Sequence, residues 1–193
     1  MGFEDETWWS RLARPGLHAW AEVGKPVRLI EQSVAKDDIE PKALACYGML
    51  VRWVETGGSM LEQSWLRFVD GRPLSRITTA FLKWSCDKLE VLGKKALLLV
   101  WDNASWHISK EVRSWIREHN RQVKAAGEGI RISTCQLPVR SPWLNPIEPR
   151  WIHGKRRVVE SDRLLTAGEL VERVYASFGC HPENYLAIPE KLP

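Results

Sequence analysis

A run of apolar side chains at Ala96–Trp101, ALLLVW, is followed directly by the polar pair Asp102 and Asn103. Branched apolar residues in succession are typical of a strand that is buried on both faces of a sheet. The pattern therefore predicts a strand over Ala96–Trp101, with the Asp102 carboxylate at its carboxyl end. The polar pair could also simply terminate the strand, without any role in chemistry.

A second pattern, LNPIEPRWIHGK, predicts a helix that runs from Asn145 to about Glu160. Asparagine favours the cap position, proline favours the first helical position, and Glu148 falls in the first turn. A carboxylate there and another at the end of a nearby strand can converge. Glu148 could instead serve the helix alone, by accepting a hydrogen bond from the amide of the cap residue.

The N-terminal residues GFEDETWW alternate between two faces in the manner of a strand. Alternation places Asp5 on the same face as Phe3 and Thr7, opposite Glu4 and Glu6. A lone acid on the apolar face of a strand requires a partner or a metal ion. Asp5 is therefore a third candidate acid, although a register shift by one residue would exchange the two faces.

The remaining periodicity predicts further strands, then helices. Strands are expected over residues 17–23, 26–34, 43–54 and 131–137, and helices over 74–92 and 109–119, with a loop over 120–129. Thr166 with Glu169 forms a capping-box pattern before a last helix. Strands first, and then strands alternating with helices, predict an α/β fold: an antiparallel meander followed by parallel strands, flanked by helices.

The composition fits one compact domain of 193 residues, with 44% hydrophobic side chains to form a core. No apolar run is long enough to span a membrane, and the acidic N-terminus does not resemble a signal peptide, so we expect a soluble, cytoplasmic protein. A net charge of +4 permits a nucleic-acid partner without requiring one. The four cysteines are widely spaced, which indicates small buried hydrophobes rather than a zinc cluster or disulfides: Cys46, Cys86, Cys135 and Cys180.

Asp5, Asp102 and Glu148 could share one site only with positive charge between them, since neighbouring carboxylates repel and raise each other's pKa. A divalent cation removes that repulsion. Carboxylate oxygens, completed by water and substrate phosphates, are the ligands that Mg²⁺ prefers. The three acids thus form a candidate magnesium site.

The strings FEDET, LVWDNASWH and LPVRSPWLNPIEPRW resemble the three acidic motifs of the DDE transposases, specifically the mariner-like superfamily and its bacterial insertion-sequence relatives. The resemblance spans nearly the whole chain and implies a ribonuclease H-like fold. It also implies that Asp5, Asp102 and Glu148 are the catalytic triad and hold two Mg²⁺ or Mn²⁺ ions. Asp5 would bridge the ions, with the other two acids completing separate shells. The implied function is DNA cleavage and strand transfer in cut-and-paste transposition.

The resemblance also marks Asn103, His107 and Lys155 as family positions near the triad, and Arg150 and Arg156 extend the positive charge of the same helix into a surface that could bind a DNA backbone. In this chain the expected DNA-binding residues are Asn103, His107, Arg150, Lys155 and Arg156. Lys155 lies seven residues after Glu148 and therefore on the same helix face, where it could meet a phosphate. Two alternatives stay open: His107 could be structural rather than DNA-contacting, and Lys155 with Arg156 could be only a solvated helix face.

Two departures from the family pattern affect the expected partners. Glu148 follows Asp102 by 46 positions, which is a longer interval than is usual in the family, and we expect the additional residues in the loop over 120–129.

The chain also begins at the first acidic strand, so we expect a single catalytic domain over 1–193 without an N-terminal helix-turn-helix region. The protein would then act on transposon ends and target DNA at the nucleoid, as a homodimer or with a partner that supplies the helix-turn-helix domain. The alternative is a truncated or domesticated remnant that binds DNA or a partner chain without catalysis.

Overall fold

The computed structural model describes residues 1–12, 23–24, 32–55, 57–158 and 163–187. Five strands form one sheet: β1 (Gly2–Ser10), β2 (Ala43–Val54), β3 (Met60–Phe68), β4 (Ala96–Trp101) and β5 (Arg131–Gln136). Their order across the sheet is β3-β2-β1-β4-β5, which makes β1 the central strand. A central strand has a neighbouring strand on each edge, and its side chains are buried wherever helices pack on the faces of the sheet.

The directions of the strands change at β1. β1 pairs antiparallel with β2, and β2 pairs antiparallel with β3. On its other edge β1 pairs parallel with β4, which pairs parallel with β5. The mixed sheet predicted from the sequence, a meander followed by parallel strands, is therefore present.

The strands that build the meander differ from the expected ones. The strands predicted over residues 17–23 and 26–34 fall largely outside the described residues, and the antiparallel partner of β1 is the strand at Ala43–Val54. Strand β3 was not predicted, and its first four residues are exposed. β4 has its predicted bounds, but it is not buried throughout, since Leu98 is 40% exposed.

Within the described part of the chain, four helices cover the two faces of the sheet: α1 (Ser75–Val91), α2 (Lys110–Ala126), α3 (Glu148–Val158) and α4 (Ala167–Phe178). One apolar core lies between the sheet and α1 and α2, and contains Tyr47, Phe81 and Trp101. The other core lies between the sheet and α3 and α4, and contains Phe3 and Trp151. Each face of β1 is therefore covered by a helical layer.

Helix α2 is longer than predicted, because residues 120–126, expected as a loop, continue the helix to a left-handed cap at Gly127. A tertiary contact stabilises this polar extension. The side chain of Asn120 accepts a hydrogen bond from the amide of Ile132 at 2.8 Å and donates one to its carbonyl at 2.7 Å. The extra helical turns are thus tied to β5, which local sequence pattern does not reveal.

Helix α3 begins at Glu148, three residues later than predicted, after a short 3₁₀ helix at Pro142–Leu144. Asn145 precedes this start and connects it to the sheet. Its buried side-chain amide donates to the carbonyl of Glu4 at 2.9 Å, while its side-chain oxygen accepts from the amide of Ile147 at 3.4 Å. Asn145 therefore fixes the beginning of α3 against the central strand.

Two expectations drawn from composition had different outcomes. Among the described helices, none is long and apolar enough to cross a membrane. The expectation for the cysteines was partly wrong: Cys46 and Cys86 are buried, but Cys135 is exposed and Cys180 is half-buried. Cys135 lies on the edge strand β5, most of which is exposed.

Candidate active site

A cavity of about 330 Å³ opens at the carboxyl end of β4, and Asp5, Asp102 and Glu148 all line it. The three acids come from β1, from the residue that follows β4, and from the first turn of α3. Adjacent parallel strands and a helix anchored on β1 thus bring together side chains that are distant in sequence. The convergence predicted from the sequence is present in the structure.

Asp5 lies in the middle of β1, where it pairs with Gly48 of β2. Trp151 of α3 crosses β2 at this glycine, and its indole Nε1 donates to Asp5 Oδ2 at 2.9 Å. A Cβ atom at position 48 would lie 2.2 Å from the Trp151 ring, so glycine is required for this approach. Burial, and then the negative charge of Glu148, raise the pKa of Asp5 to about 8.

Asp102 has a more polar environment, and its side chain is half exposed. Its Oδ1 accepts two hydrogen bonds, from His107 Nδ1 at 2.8 Å and from the amide of Ala104 at 2.8 Å. The bond from His107 is the main cause that lowers the pKa of Asp102, and the Ala104 amide adds to it. Asp102 therefore stays ionised without a bound cation.

Glu148 completes the cavity from the first turn of α3. Burial raises its pKa, Lys155 opposes that shift, and the Asp102 carboxylate adds to it. Among the described residues, the Glu148 carboxylate accepts no hydrogen bond, so the capping role left open by the sequence is not observed. The carboxylate is instead available to the cavity.

His107 is fully buried behind Asp102 and is surrounded by carboxylates. Its Nδ1 bonds to Asp102, and its Nε2 lies 3.0 Å from Glu6 Oε1 and 3.1 Å from Glu4 Oε2. The ring stacks on Trp101, with 4.7 Å between centroids. Burial alone would lower the pKa of His107, but the negative charge of the adjacent Glu4 and the hydrogen bonds to Asp102 and Glu6 outweigh burial and raise it. His107 is therefore an imidazolium that donates from both nitrogens.

Glu4 and Glu6 lie on the face of β1 opposite Asp5, as alternation requires, yet Glu4 is fully buried and the side chain of Glu6 is only 6% exposed. Glu6 Oε1 also accepts from Trp106 Nε1 at 2.8 Å. Glu4 Oε2 is close to His107, but among the described residues neither Glu4 oxygen accepts a well-directed hydrogen bond. The His107 Nε2–H is directed to Glu6, and Glu4 contributes an ion-pair contact only.

Two groups of side chains could hold a cation, and their chemistry differs. Glu4, Glu6 and His107 each offer a ligand atom within 4.8 Å of the others, but the protonated His107 already supplies the positive charge there. Of Asp5, Asp102 and Glu148, only Asp102 contacts His107, and the other two acids have raised pKa values. An all-carboxylate oxygen set with this repulsion fits Mg²⁺ or Mn²⁺.

The five expected DNA-binding residues occupy different environments. Lys155 and Arg156 are exposed on α3, and the charge of Lys155 reaches Glu148. Arg150 forms an ion pair with Glu62 of β3, while Asn103 lines the cavity and donates to the carbonyl of Leu137 at 2.6 Å. The buried His107, with both ring nitrogens bonded within the protein, fits the structural alternative better than a DNA contact.

Several residues that shape this site were missed by the sequence analysis. Glu6, Trp106 and Gly48 were not proposed for any role, and Trp151 was noted only as part of a family motif. The alternation of β1 did place Glu6 opposite Asp5, but only the covering layer of helices makes that face an interior one. The Gly48–Trp151 contact joins residues about a hundred positions apart, so no local pattern reveals it.

The family of the chain follows from its sequence. A family model described as DDE superfamily endonuclease matches residues 3–171, and the chain therefore belongs to this family. The match includes all three acids that line the cavity. No curated protein matches the chain in sequence.

Solved structures with a similar fold include complexes of the Mos1 transposase. A Mos1 transposase paired-end complex with the left transposon end is 14% identical, with a TM-score of 0.64 over 94% of this chain and 48% of that chain. The Mos1 mariner paired-end complex with Mn is 12% identical, with a TM-score of 0.61 and the same coverage. A Mos1 strand transfer complex is 13% identical, with a TM-score of 0.53 over 94% of this chain and 47% of that chain. The chain therefore has the ribonuclease H-like fold that the sequence predicted, and it spans about half the length of these transposases.

Proposed function

We propose that this chain is the catalytic domain of a cut-and-paste DNA transposase that performs metal-dependent DNA cleavage and strand transfer. The observation that carries the proposal is the meeting of Asp5, Asp102 and Glu148 in one cavity. Membership of the DDE superfamily endonucleases and a fold shared with Mos1 transposase support it. The raised pKa values of Asp5 and Glu148 are further support, since burial and repulsion from neighbouring carboxylates both disfavour their ionised forms, and a divalent cation would relieve that cost.

In this mechanism the three carboxylates would hold two Mg²⁺ or Mn²⁺ ions. When bound, such ions activate the attacking water or 3′-hydroxyl, stabilise the leaving oxygen and neutralise the phosphoryl charge. The chain's own contribution is to orient the ligands. Trp151 holds one oxygen of Asp5, and His107 with the Ala104 amide holds one oxygen of Asp102.

DNA is the proposed substrate, with the exposed end of α3 as part of its binding surface. Lys155 and Arg156 would bind backbone phosphates near the cavity, and Asn103 would contact DNA at its rim. Arg150 would have to exchange Glu62 for a phosphate to contribute. We further propose that the protein acts in the cytoplasm at the nucleoid, as a homodimer or with a partner that supplies helix-turn-helix recognition of the transposon ends.

The direct test is nicking of a supercoiled plasmid in Mg²⁺ or Mn²⁺. We expect cleavage by the wild type and loss of at least about a hundredfold in Asp102→Asn, because one metal ligand is removed. Asp87→Asn is the matched control: it makes the same charge change at an exposed position on α1, away from the cavity. Equal cleavage by wild type and Asp102→Asn would contradict the proposal.

The second candidate, a remnant that binds DNA or a partner chain without catalysis, predicts a different result. A remnant that has lost turnover need not bind a divalent ion. Titration of the protein with Mn²⁺ in a calorimeter therefore separates the two functions, because the proposed enzyme binds Mn²⁺ through the three acids and Asp102→Asn weakens that binding. DNA binding without any Mn²⁺ binding would favour the remnant.

A further inference from the structure

We infer that His107 is a positioning residue, which orients Asp102 so that its Oδ2, and not its Oδ1, is presented to the cation. The inference rests on the proposed function, since it assigns a role within the same metal site. It differs from the DNA contact expected from the sequence, because it acts through the Asp102 carboxylate from behind the cavity.

The hydrogen bonds of Asp102 distinguish its two oxygens. Oδ1 accepts from His107 Nδ1 and from the Ala104 amide, both at 2.8 Å. Among the described residues, no donor bonds to Oδ2. Because Asp102 lines the cavity and its side chain is half exposed, Oδ2 is the oxygen left for a metal ion or a water. One well-oriented oxygen favours monodentate ligation, whereas a freely rotating carboxylate would lose entropy on binding.

The ring of His107 is itself held in place by hydrogen bonds and by stacking. Nε2 donates to Glu6 Oε1 at 3.0 Å, and Trp106 Nε1 donates to the same oxygen at 2.8 Å. Trp101, the last residue of β4, stacks on one face of the ring. A ring with both nitrogens bonded and one face stacked cannot rotate about its side-chain bonds without breaking several contacts. Its Nδ1–H therefore has a fixed direction, toward Asp102.

This arrangement links the two strands that supply the aspartates. Glu6 is the next residue after Asp5 on β1, while Asp102 follows β4. The chain Glu6–His107–Asp102 joins them on the face of the sheet behind the cavity. Supporting hydrogen bonds of this kind commonly set ligand orientation at metal sites, and their removal costs about 10- to 100-fold in metal affinity.

Two substitutions separate orientation from charge. His107→Asn and His107→Gln both replace the ring by a neutral amide, so the two variants have the same charge. The Asn amide can occupy the place of Nδ1 and donate to Asp102, whereas the Gln amide reaches the place of Nε2 and donates to Glu6. With Mn²⁺ titrated into the full chain, we expect His107→Gln to weaken binding by about 10- to 100-fold. We expect His107→Asn to retain most of the wild-type affinity.

The outcomes distinguish this inference from the proposed function. Mn²⁺ binding that both variants retain equally, or lose equally, would overturn the positioning role while leaving the nuclease proposal intact. Absence of Mn²⁺ binding by the wild type would overturn both.

A measurement on the wild type covers the case in which either variant fails to fold. In protein carrying ¹⁵N-labelled histidine, a buried ring whose Nδ1–H donates to Asp102 gives an exchange-protected Nδ1–H signal that correlates with the His107 ring. We expect this signal to persist when diamagnetic Mg²⁺ is added, because Asp102 Oδ1 remains bonded to His107. Loss of the signal on addition of Mg²⁺ would show that the carboxylate turns Oδ1 to the metal, and would overturn the inference.

Discussion

Asp5 shows how burial on a central strand shapes a single carboxylate. It lies on β1, between β2 and β4, and faces the helical layer that contains Trp151. Alternation along the sequence correctly placed Asp5 on the face of Phe3. The alternation could not show that the side chains of Glu4 and Glu6 are also buried, because a strand face that carries acidic residues is ordinarily exposed to solvent. The second helical layer and the His107 imidazolium make that burial possible.

The raised pKa of Asp5 predicts how the metal-free protein responds to pH. The folded state holds the Asp5 proton up to a pKa of about 8, whereas the unfolded chain releases it near its ordinary pKa. The unfolded state thus binds fewer protons between these two values, so stability falls as pH rises from about 4 to about 8. Asp5→Asn removes this contribution, and its oxygen can still accept from Trp151.

We therefore expect the melting temperature of Asp5→Asn, relative to wild type, to rise as the pH is raised from 5 to 8 without metal. Each pKa unit corresponds to about 1.4 kcal/mol, or roughly 3–6 °C for a domain of this size. Added Mn²⁺ should stabilise the wild type and not the variant. Asp87→Asn, exposed on α1, is the control and should follow the wild type at every pH. A constant difference between Asp5→Asn and wild type would contradict the assigned pKa.

At the scale of the elements, local sequence patterns predicted most of the helix and strand bounds. Tertiary contacts explain the bounds that differ from the prediction. The bounds of β2 and β4 were predicted correctly because their apolar runs end at polar residues. Helix α2 extends beyond its apolar face because Asn120 bonds to β5, and α3 starts late because Asn145 is bonded to β1. Both asparagines are ambiguous in sequence, since asparagine favours turns and caps when it lacks such partners.

Packing of α3 on β2 depends on Gly48. Gly48→Ala would drive a methyl group into the Trp151 ring, and we expect a loss of about 1–3 kcal/mol in the free energy of unfolding. Displacement of Trp151 also removes the hydrogen bond to Asp5, so Mn²⁺ affinity should fall as well. Gly168→Ala in α4 is the control, because no atom lies within 4 Å of its added Cβ. Urea unfolding and Mn²⁺ titration test both effects, and an unchanged Mn²⁺ affinity would argue against the role of Trp151.

The capping box of α4, predicted from the sequence, is present with both of its hydrogen bonds. The Thr166 hydroxyl accepts from the Glu169 amide at 3.2 Å, and the Glu169 carboxylate accepts from the Thr166 amide at 2.9 Å. Thr166→Ala should destabilise the protein by about 1 kcal/mol without changing nicking activity, because α4 contributes no residue to the cavity. Thr166→Ser, which keeps the hydroxyl, should unfold near the wild-type urea midpoint. Equal stability of all three proteins would contradict the cap's contribution.

At the scale of the whole molecule, the site exists only because the fold joins three distant segments. The motif spacing predicted which acids meet, and the sheet order explains how: β4 crosses to lie beside β1, and α3 returns across β1 and β2. The sequence could not predict the Glu6–His107–Asp102 connection, since it depends on the packing of two faces at once. Cation binding should therefore involve the central strand, the β4 terminus and α3 together.

The most direct test of this account is a crystal of the protein soaked in Mn²⁺, with data collected at the manganese absorption edge. The account predicts anomalous density within ligand distance of Asp5, Asp102 and Glu148, with Asp102 Oδ2 as the coordinating oxygen. Anomalous density only at Glu4, Glu6 and His107, or none at either group at saturating Mn²⁺, would contradict it.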